Sequence, residues 1–446
     1  MTKIHLIAIG GAVMHNLAIA LKNKGYEVTG SDDELFEPSL SRLKKYGIAP
    51  PEKGWFPEKI HGGLDAVILG MHARADNPEL LKALEMQLPV YSFPQYIFDQ
   101  SQNKTRVAIC GSHGKTTITS MVMHVLKKSG RSFDYLVGAQ LDGFETMVQL
   151  SDAPVIIIEG DEYFASPLDR QPKFLHYHAQ INLISGIAWD HFNVFPTFKS
   201  YTDQFSLLIK SLNAGDKLII NSEDEEIEKL VNEGSAAAII KYGTPPYQLK
   251  NNRLEISFEN NLYTFEIFGR HNMQNMEGAA MICAGLGIDR NEFYQAIQSF
   301  KGAAKRLEIL KQSNDHFIFR DFAHAPSKVM ATVNAVKEQY PEKKLVACLE
   351  LHTYSSLNKS FLPQYAATMK NADVKIVYVN PHALEIKKLP PLPGEEIKNY
   401  FNEPELIVIN DSAELMKTIQ NLNIVNSNIL LMSSGNFDNL DFTILT

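Results

Sequence analysis

The sequence predicts an α/β protein built on parallel sheets and divided into about three units. Three observations point there. Short apolar runs alternate with helix-like stretches at both ends of the chain. A glycine-flanked turn, Gly111-Ser112-His113-Gly114-Lys115-Thr116, follows the apolar run Val107-Ala108-Ile109-Cys110 and opens a helix-like stretch. A second glycine turn, Gly10-Gly11, stands in the same way between an apolar run and a helix-like stretch.

The first unit, residues 1–103, is expected to hold a strand over 4–9, a helix over 14–24, and strands over 27–30 and 66–69. Polar Asn103-Lys104-Thr105 reads as a linker. The second unit, 104–308, carries strands over 106–110, 155–158 and 181–184, with helices over 117–128, 198–212 and 273–286. The third, 309–446, alternates again: a strand over 317–320, a helix over 326–339, then strands over 344–349, 375–379, 405–409 and 429–432. Prolines at 390, 391 and 393 make 389–394 a loop.

Composition narrows the function. A net charge of −8 over 446 residues argues against nucleic acid as a partner. Cys110, Cys283 and Cys348 lack any C-x-x-C spacing, which fits a reduced compartment. The N-terminus enters a strand without a signal-peptide layout, and no apolar run approaches the ~20 residues that span a bilayer. The expectation is a cytoplasmic protein with no membrane partner.

The turn at 111–116 has the build of a phosphate-binding loop. Glycines let backbone N–H groups curl round phosphate oxygens, Lys115 reaches the β- and γ-phosphates, and Thr116 offers a hydroxyl to Mg²⁺. Ser112, His113 and Thr117 complete the loop and the first helical turn. As a charge clamp on a surface loop, Lys115 is expected to be dispensable for the fold. Ile109 stands where the strict G-x-x-x-x-G-K-[ST] pattern has glycine, so the match is to a compact G-x-x-G-K-T form. The turn at Gly10, Gly11 and Met14, with Asp32 ending the next strand, fits either a pyrophosphate cradle or a tight turn without ligand. Glu159 ends a buried strand, where a carboxylate suits a second Mg²⁺ ligand or a solvated acidic loop. His191, in Trp189-Asp190-His191, follows the next strand. His271, Asn272 and Asn275 fit either a base edge or a helix N-terminus. Arg306 and Asp321, on opposite sides of the second boundary, fit either closure over a γ-phosphate or surface pairing.

Taken together, these motifs resemble the Mur ligases, the ATP-dependent amide-forming enzymes of peptidoglycan assembly. The resemblance covers the chain in order: Gly10-Gly11-x-x-Met14, Gly111–Thr116, Glu159, Asp190-His191, His271-Asn272-x-x-Asn275, Arg306 and Asp321. It implies three domains: a Rossmann-like UDP-sugar domain, a central phosphate-loop ATP domain and a Rossmann-like amine-binding domain. It implies that Gly111 through Thr117, His271, Asn272, Asn275, Arg306 and Asp321 contact ATP, and that Thr116, Glu159 and His191 hold Mg²⁺. Lys115, His191 and Arg306 would be catalytic. Gly10, Gly11, Met14, Asp32, His352 and Tyr354 would contact substrate. The stretches Glu159-Gly160-Asp161-Glu162-Tyr163 and Lys173-Phe174-Leu175-His176-Tyr177 resemble the branch that joins UDP-N-acetylmuramate to the recycled tripeptide L-alanyl-γ-D-glutamyl-meso-diaminopimelate. The alternatives are the branch that uses L-alanine and a non-catalytic nucleotide-binding homologue. Gly186 and Ala188 replace the asparagine and glutamate of the family's N-x-E-x-D-H, and Ala325 replaces a histidine. Several Mur ligases use a carbamylated lysine on the helix after this element. Here Phe205-Ser206-Leu207 occupies that place, implying no need for CO₂.

Overall fold

The structure, a computed structural model, describes residues 1–303, 305–313, 316–422 and 425–445. The chain opens with β1 (Lys3–Ile7), α1 (Ala12–Asn23), β2 (Glu27–Ser31), α2 (Ser39–Lys45), β3 (Ala66–Leu69), α3 (Pro78–Glu85), β4 (Val90–Ser92) and α4 (Phe93–Asp99). The four strands pair in parallel in the order β2-β1-β3-β4. Every residue of β3 is buried, as a parallel sheet covered on both faces requires. α1 packs Leu17, Ala18, Ile19 and Leu21 into the core.

The next stretch begins with β5 (Thr105–Cys110), α5 (Lys115–Lys128), β6 (Asp134–Leu136), β7 (Val148–Gln149), β8 (Val155–Glu159) and β9 (Ile181–Ile184). It continues through α6 (Phe198–Ser211), β10 (Lys217–Asn221), α7 (Glu225–Asn232) and β11 (Ala238–Tyr242). These strands form a seven-stranded sheet, β11-β10-β9-β5-β8-β6-β7, parallel except for β7. An antiparallel meander of β12 (Gln248–Lys250), β13 (Arg253–Phe258) and β14 (Asn261–Phe265) follows, then α8 (Arg270–Gly285) and α9 (Arg290–Ile297).

The last stretch holds β15 (Glu308–Gln312), β16 (Phe317–Asp321), α10 (Pro326–Gln339), β17 (Lys344–Leu351), β18 (Val374–Val379), α11 (Pro381–Ile386), α12 (Gly394–Phe401), β19 (Ile407–Ile409), α13 (Ser412–Asn421) and β20 (Ser427–Met432). Its sheet runs β15-β16-β20-β17-β18-β19, with β15 antiparallel to the rest.

Two departures from the sequence reading bear on the phosphate-loop region. The expected linker is anchored structure: Thr105 already belongs to β5, and Lys104 Nζ pairs with the buried Asp134 at 3.0 Å. α5 starts at Lys115, two residues early, because Gly114 takes φ 79° and lets the helix begin at the loop itself. Apolar packing is continuous between the sheets. One core cluster runs from α5 and α8 to α10 and β17, and another joins α1 to the α6 side of the central sheet.

Candidate functional site

The central sheet places β9, β5 and β8 side by side, so the loops leaving their C-terminal ends meet at one edge. This is where α/β sheets gather ligand-binding groups. The loop after β5 is the glycine turn. Gly111 has φ 124°, and a Cβ there would stand 3.0 Å from the Ser185 nitrogen, so close packing against the β9 exit excludes a side chain. Ser112 joins the loop to both neighbours. Its N–H donates to the Gly186 carbonyl at 2.9 Å, its hydroxyl meets Tyr201 Oη at 2.7 Å, and Ala188 N–H donates to it at 2.8 Å.

Lys115 lies inside this junction. Its ammonium donates to Glu162 Oε2 at 2.8 Å and to the Gly111 carbonyl at 2.6 Å, with the Lys115 side chain 14% exposed and that of Glu162 0%. Burial alone would lower the lysine pKa, but the charges of Glu162 and Asp161 raise it above its ordinary value. Burial alone would raise the Glu162 pKa, but Lys115 and His191 hold it well below the usual carboxylate range. Lys115 is therefore one half of a buried ion pair, which corrects its reading as a surface clamp independent of the fold.

Glu162 also accepts the Tyr201 hydroxyl at 2.8 Å and lies 3.5 Å from His191 Nε2. The ligating atoms of Asp161, Glu162 and His191 all fall within 4.8 Å of one another. Two carboxylates and one imidazole are an oxygen-rich set, and they fit a divalent cation. Thr116 and Glu159 form a separate pair. Thr116 Oγ1 donates to Glu159 Oε1 at 2.9 Å, while Glu159 Oε2 accepts the Gly138 N–H at 2.9 Å. Of the sequence-predicted metal set, Thr116 and Glu159 meet each other, and His191 meets Asp161 and Glu162. Burial would lower the His191 pKa, but its bond to Glu162 and the nearby Asp190 charge raise it.

The His271–Asn275 element forms the start of α8 and abuts the loop. A Cβ on Gly114 would collide with Asn275 Oδ1, and the 9% exposed Asn272 is tied to the Phe268 carbonyl at 2.8 Å. Burial, reinforced by His113, lowers the His271 pKa to about 4; burial, Lys328 and Lys115 do the same for His113. Asp321 accepts the Leu307 and Ala323 N–H groups at 2.7 Å each, and the Arg306 guanidinium lies 4.7 Å over the Phe322 ring. This pair thus organises the junction into the third sheet.

At the N-terminal turn, Asp32 Oδ2 accepts the Gly10 N–H at 2.6 Å. A Cβ on Gly10 would stand 2.6 Å from Leu35 Cδ2, so the close turn itself requires this glycine. Met14 is 4% exposed and packs within the core. In the third sheet, His352 follows β17 beside Glu350, which is 1% exposed and accepts the Phe437 N–H at 3.0 Å and the Ser433 hydroxyl. Tyr354, two residues on, is 38% exposed.

Asp161, Glu162, Tyr201 and Lys328 were not singled out as site residues from the sequence. For Glu162 a signal existed. A lysine in a packed phosphate loop needs a counter-charge, and Glu162 follows the strand end by three residues.

Residues 3–104 match the domain described as Mur ligase family, catalytic domain, and residues 109–283 match the Mur ligase middle domain. The chain belongs to the Mur ligase family, and it is an ATP-dependent carbon–nitrogen ligase with that family's three-domain α/β fold. Among its relatives, the UDP-N-acetylmuramate–L-alanyl-γ-D-glutamyl-meso-2,6-diaminoheptandioate ligase of Haemophilus influenzae is 28% identical over 76% of this chain and 77% of its own. The UDP-N-acetylmuramate–L-alanine ligase of a Sulfurihydrogenibium species is 29% identical over 84% of this chain and 82% of its own. The crystal structure of a murein peptide ligase from Psychrobacter arcticus has the same fold, with a TM-score of 0.67 at 22% identity over 98% of this chain and 97% of that one.

Proposed function

We propose that this ligase joins UDP-N-acetylmuramate to L-alanyl-γ-D-glutamyl-meso-diaminopimelate through an acyl phosphate, in the cytoplasmic recycling of peptidoglycan. The observation that supports this most is the Lys115–Glu162 pair beside Asp161 and His191. Of these, Asp161 and Glu162 lie in the Glu159–Tyr163 stretch that carries the resemblance to the tripeptide branch. The domains on this reading are 1–103 for the UDP-sugar, 104–308 for ATP and 309–446 for the amine.

A carboxylate is a poor acylating agent, so its oxygen first bonds to the γ-phosphorus of ATP while the bond to the bridging oxygen breaks and ADP departs. The amine nitrogen then attacks the carbonyl carbon, phosphate leaves with the C–O electrons, and the nitrogen loses its proton. Lys115 exchanges Glu162 for the phosphate oxygens and offsets their charge as the phosphoryl moves. The N–H groups at the start of α5 cradle the same oxygens, aided by the helix dipole. Thr116 and Glu159 form one Mg²⁺ site, and Asp161, Glu162 and His191 a second. Bound there, Mg²⁺ neutralises charge on the transferring group. His271, Asn272 and Asn275 face the base, Arg306 and Asp321 close the nucleotide side, and Gly10, Gly11 and Asp32 shape the UDP-sugar turn. His352 and Tyr354 meet the amine.

The tripeptide is preferred over L-alanine because Thr353 and Ser356 stand where the alanine branch carries arginines for a small amino acid's carboxylate. A larger peptide draws binding energy from remote groups instead. The rival is the L-alanine ligase, supported by the shared His352-x-Tyr354-Ser355. The test is kcat/KM for phosphate release with each amine at saturating ATP and UDP-N-acetylmuramate. The tripeptide is expected to exceed L-alanine by at least about tenfold, or ~1.4 kcal/mol of transition-state binding. Preference for L-alanine overturns the substrate assignment. No phosphate release with either amine overturns the catalytic reading.

A further inference from the structure

His191 has φ 53°, a left-handed conformation that residues with a Cβ rarely adopt. Contacts from the third sheet's domain hold it on both sides. On the N-terminal side, Asp190 Oδ1 accepts the His191 N–H at 2.8 Å, while Asp190 Oδ2 pairs at 3.2 Å with Lys328 Nζ in the first turn of α10. On the C-terminal side, the Phe192 N–H donates to Ser355 Oγ at 3.1 Å across 163 residues of sequence. Beneath this bond, Trp189 and Phe192 rest against Phe361, with ring centroids 5.6 and 5.8 Å apart. Val194 and Phe195 both donate to the His191 carbonyl, so the turn is closed from within, and the Phe192 N–H is the donor turned toward the neighbouring domain.

Ser355 is 6% exposed and belongs to the loop that also carries His352 and Tyr354. The geometry points to Ser355 as a positioning residue. Its hydroxyl fixes the left-handed turn that presents His191 to Glu162, so seating the amine-side loop and completing the cation site are one event. The inference rests on the reading of Asp161, Glu162 and His191 as a cation site. It gives a physical reason for the aromatic Trp189 within the altered Gly186-Ile187-Ala188-Trp189-Asp190-His191 element. The ring ties the cation-side loop to the third domain from a position the family pattern leaves open.

The experiment is a Mn²⁺ titration of the full chain with ATP and without UDP-N-acetylmuramate, following free Mn²⁺ by electron paramagnetic resonance. Wild type, His191→Ala, Ser355→Ala and Ser355→Thr are compared, with thermal melting as a fold control. Losing one neutral hydrogen bond predicts that Ser355→Ala weakens Mn²⁺ binding roughly three- to tenfold. Ser355→Thr, which keeps the hydroxyl, stays within about twofold of wild type. An unchanged Mn²⁺ affinity in Ser355→Ala overturns the inference, even if the KM for the amine rises, because the serine then serves the amine alone. Equal weakening in Ser355→Thr also overturns it. If His191→Ala binds Mn²⁺ like wild type, the underlying cation-site reading fails instead.

Discussion

Replacing Glu162 by glutamine tests the electrostatics of the site most directly. The substitution keeps the side-chain shape and an oxygen for Tyr201 but removes the charge facing Lys115 at 2.8 Å. An ammonium only 14% exposed is then left without its partner. Breaking a buried pair by neutralising one member costs about 3–5 kcal/mol. Glu162→Gln is therefore expected to lose ~3 kcal/mol of stability without ligands, and Lys115→Ala a similar amount. In Glu162→Gln/Lys115→Met neither charge remains, and most of that loss should return, leaving a coupling energy of about 2 kcal/mol or more. Urea unfolding followed by the combined fluorescence of Trp55 and Trp189 reads this, since Trp189 packs in the loop beside the pair. Activity should not recover with stability. Without the lysine, transition-state charge loses ~2.7–4 kcal/mol of stabilisation, and phosphate release falls by about 10²–10³-fold. If the double variant is as unstable as the sum of the singles, the two side chains are not a coupled charge pair, and the account of the site's electrostatics is wrong.

Acidification should weaken the fold through histidines. Burial and neighbouring positive charge lower the pKa values of His113, His271 and His324 to about 4. Since the folded values lie below the unfolded value, the unfolded chain binds more protons, and stability present above pH 6.5 is lost as pH falls toward 4. At pH 5.5 each half-buried histidine should remove ~1 kcal/mol. His271→Gln should flatten the pH dependence of the urea midpoint between pH 7.5 and 5.5, and an unchanged slope would refute this origin. Bicarbonate should have no effect on turnover. In α6, Phe205 and Ser206 are buried where a carbamylated lysine would stand, and Lys210 is turned outward, 57% exposed and 3.7 Å from Glu233. Activity that collapses in bicarbonate-free buffer and returns on addition would contradict it.

The elements most legible in the sequence were the fully buried ones. β3, β9 and α10 lie at the positions expected, because an unbroken apolar run or a proline-started periodic stretch leaves little choice. The β12–β14 meander went unseen. Gln248-Leu249-Lys250 is exposed throughout, and the other two strands bury only alternate residues. Its turn at Asn251-Asn252, with φ 51° and 57°, is a hairpin signal that sequence reading could have used. In the site, glycines and the lysine announce themselves through chemistry that few other roles require. Asp161 and Glu162 do not, since an acidic pair after a strand is common on surfaces. What distinguishes them is that they face Lys115, a property of strand order rather than of the residues.

That strand order is also why the site assembles as one unit. Sequence places the phosphate loop, the Glu159–Glu162 stretch and the His191 turn tens of residues apart, and nothing local says that β9 and β8 flank β5. The parallel register does the work of alignment. Ile109 pairs with Glu159 and Cys110 with Ile184, so three strands end at the same height and their exit loops converge. A shift of one residue in β8 would turn Glu159 to the other face, away from Thr116, and move Ile158 from one packed face of the sheet to the other. The buried Ile156, Ile157 and Ile158 make such a slip costly, because each would exchange one packed environment for another of the wrong shape. The apolar strand therefore does more than support the sheet: its packing sets the position of the carboxylates that follow it. The departures at Gly186 and Ala188 are compatible with a working site for the same reason. Both are pinned through the backbone, by Ser112 N–H to the Gly186 carbonyl and Ala188 N–H to Ser112 Oγ, so the path to His191 depends on main-chain bonds that neither substitution removes.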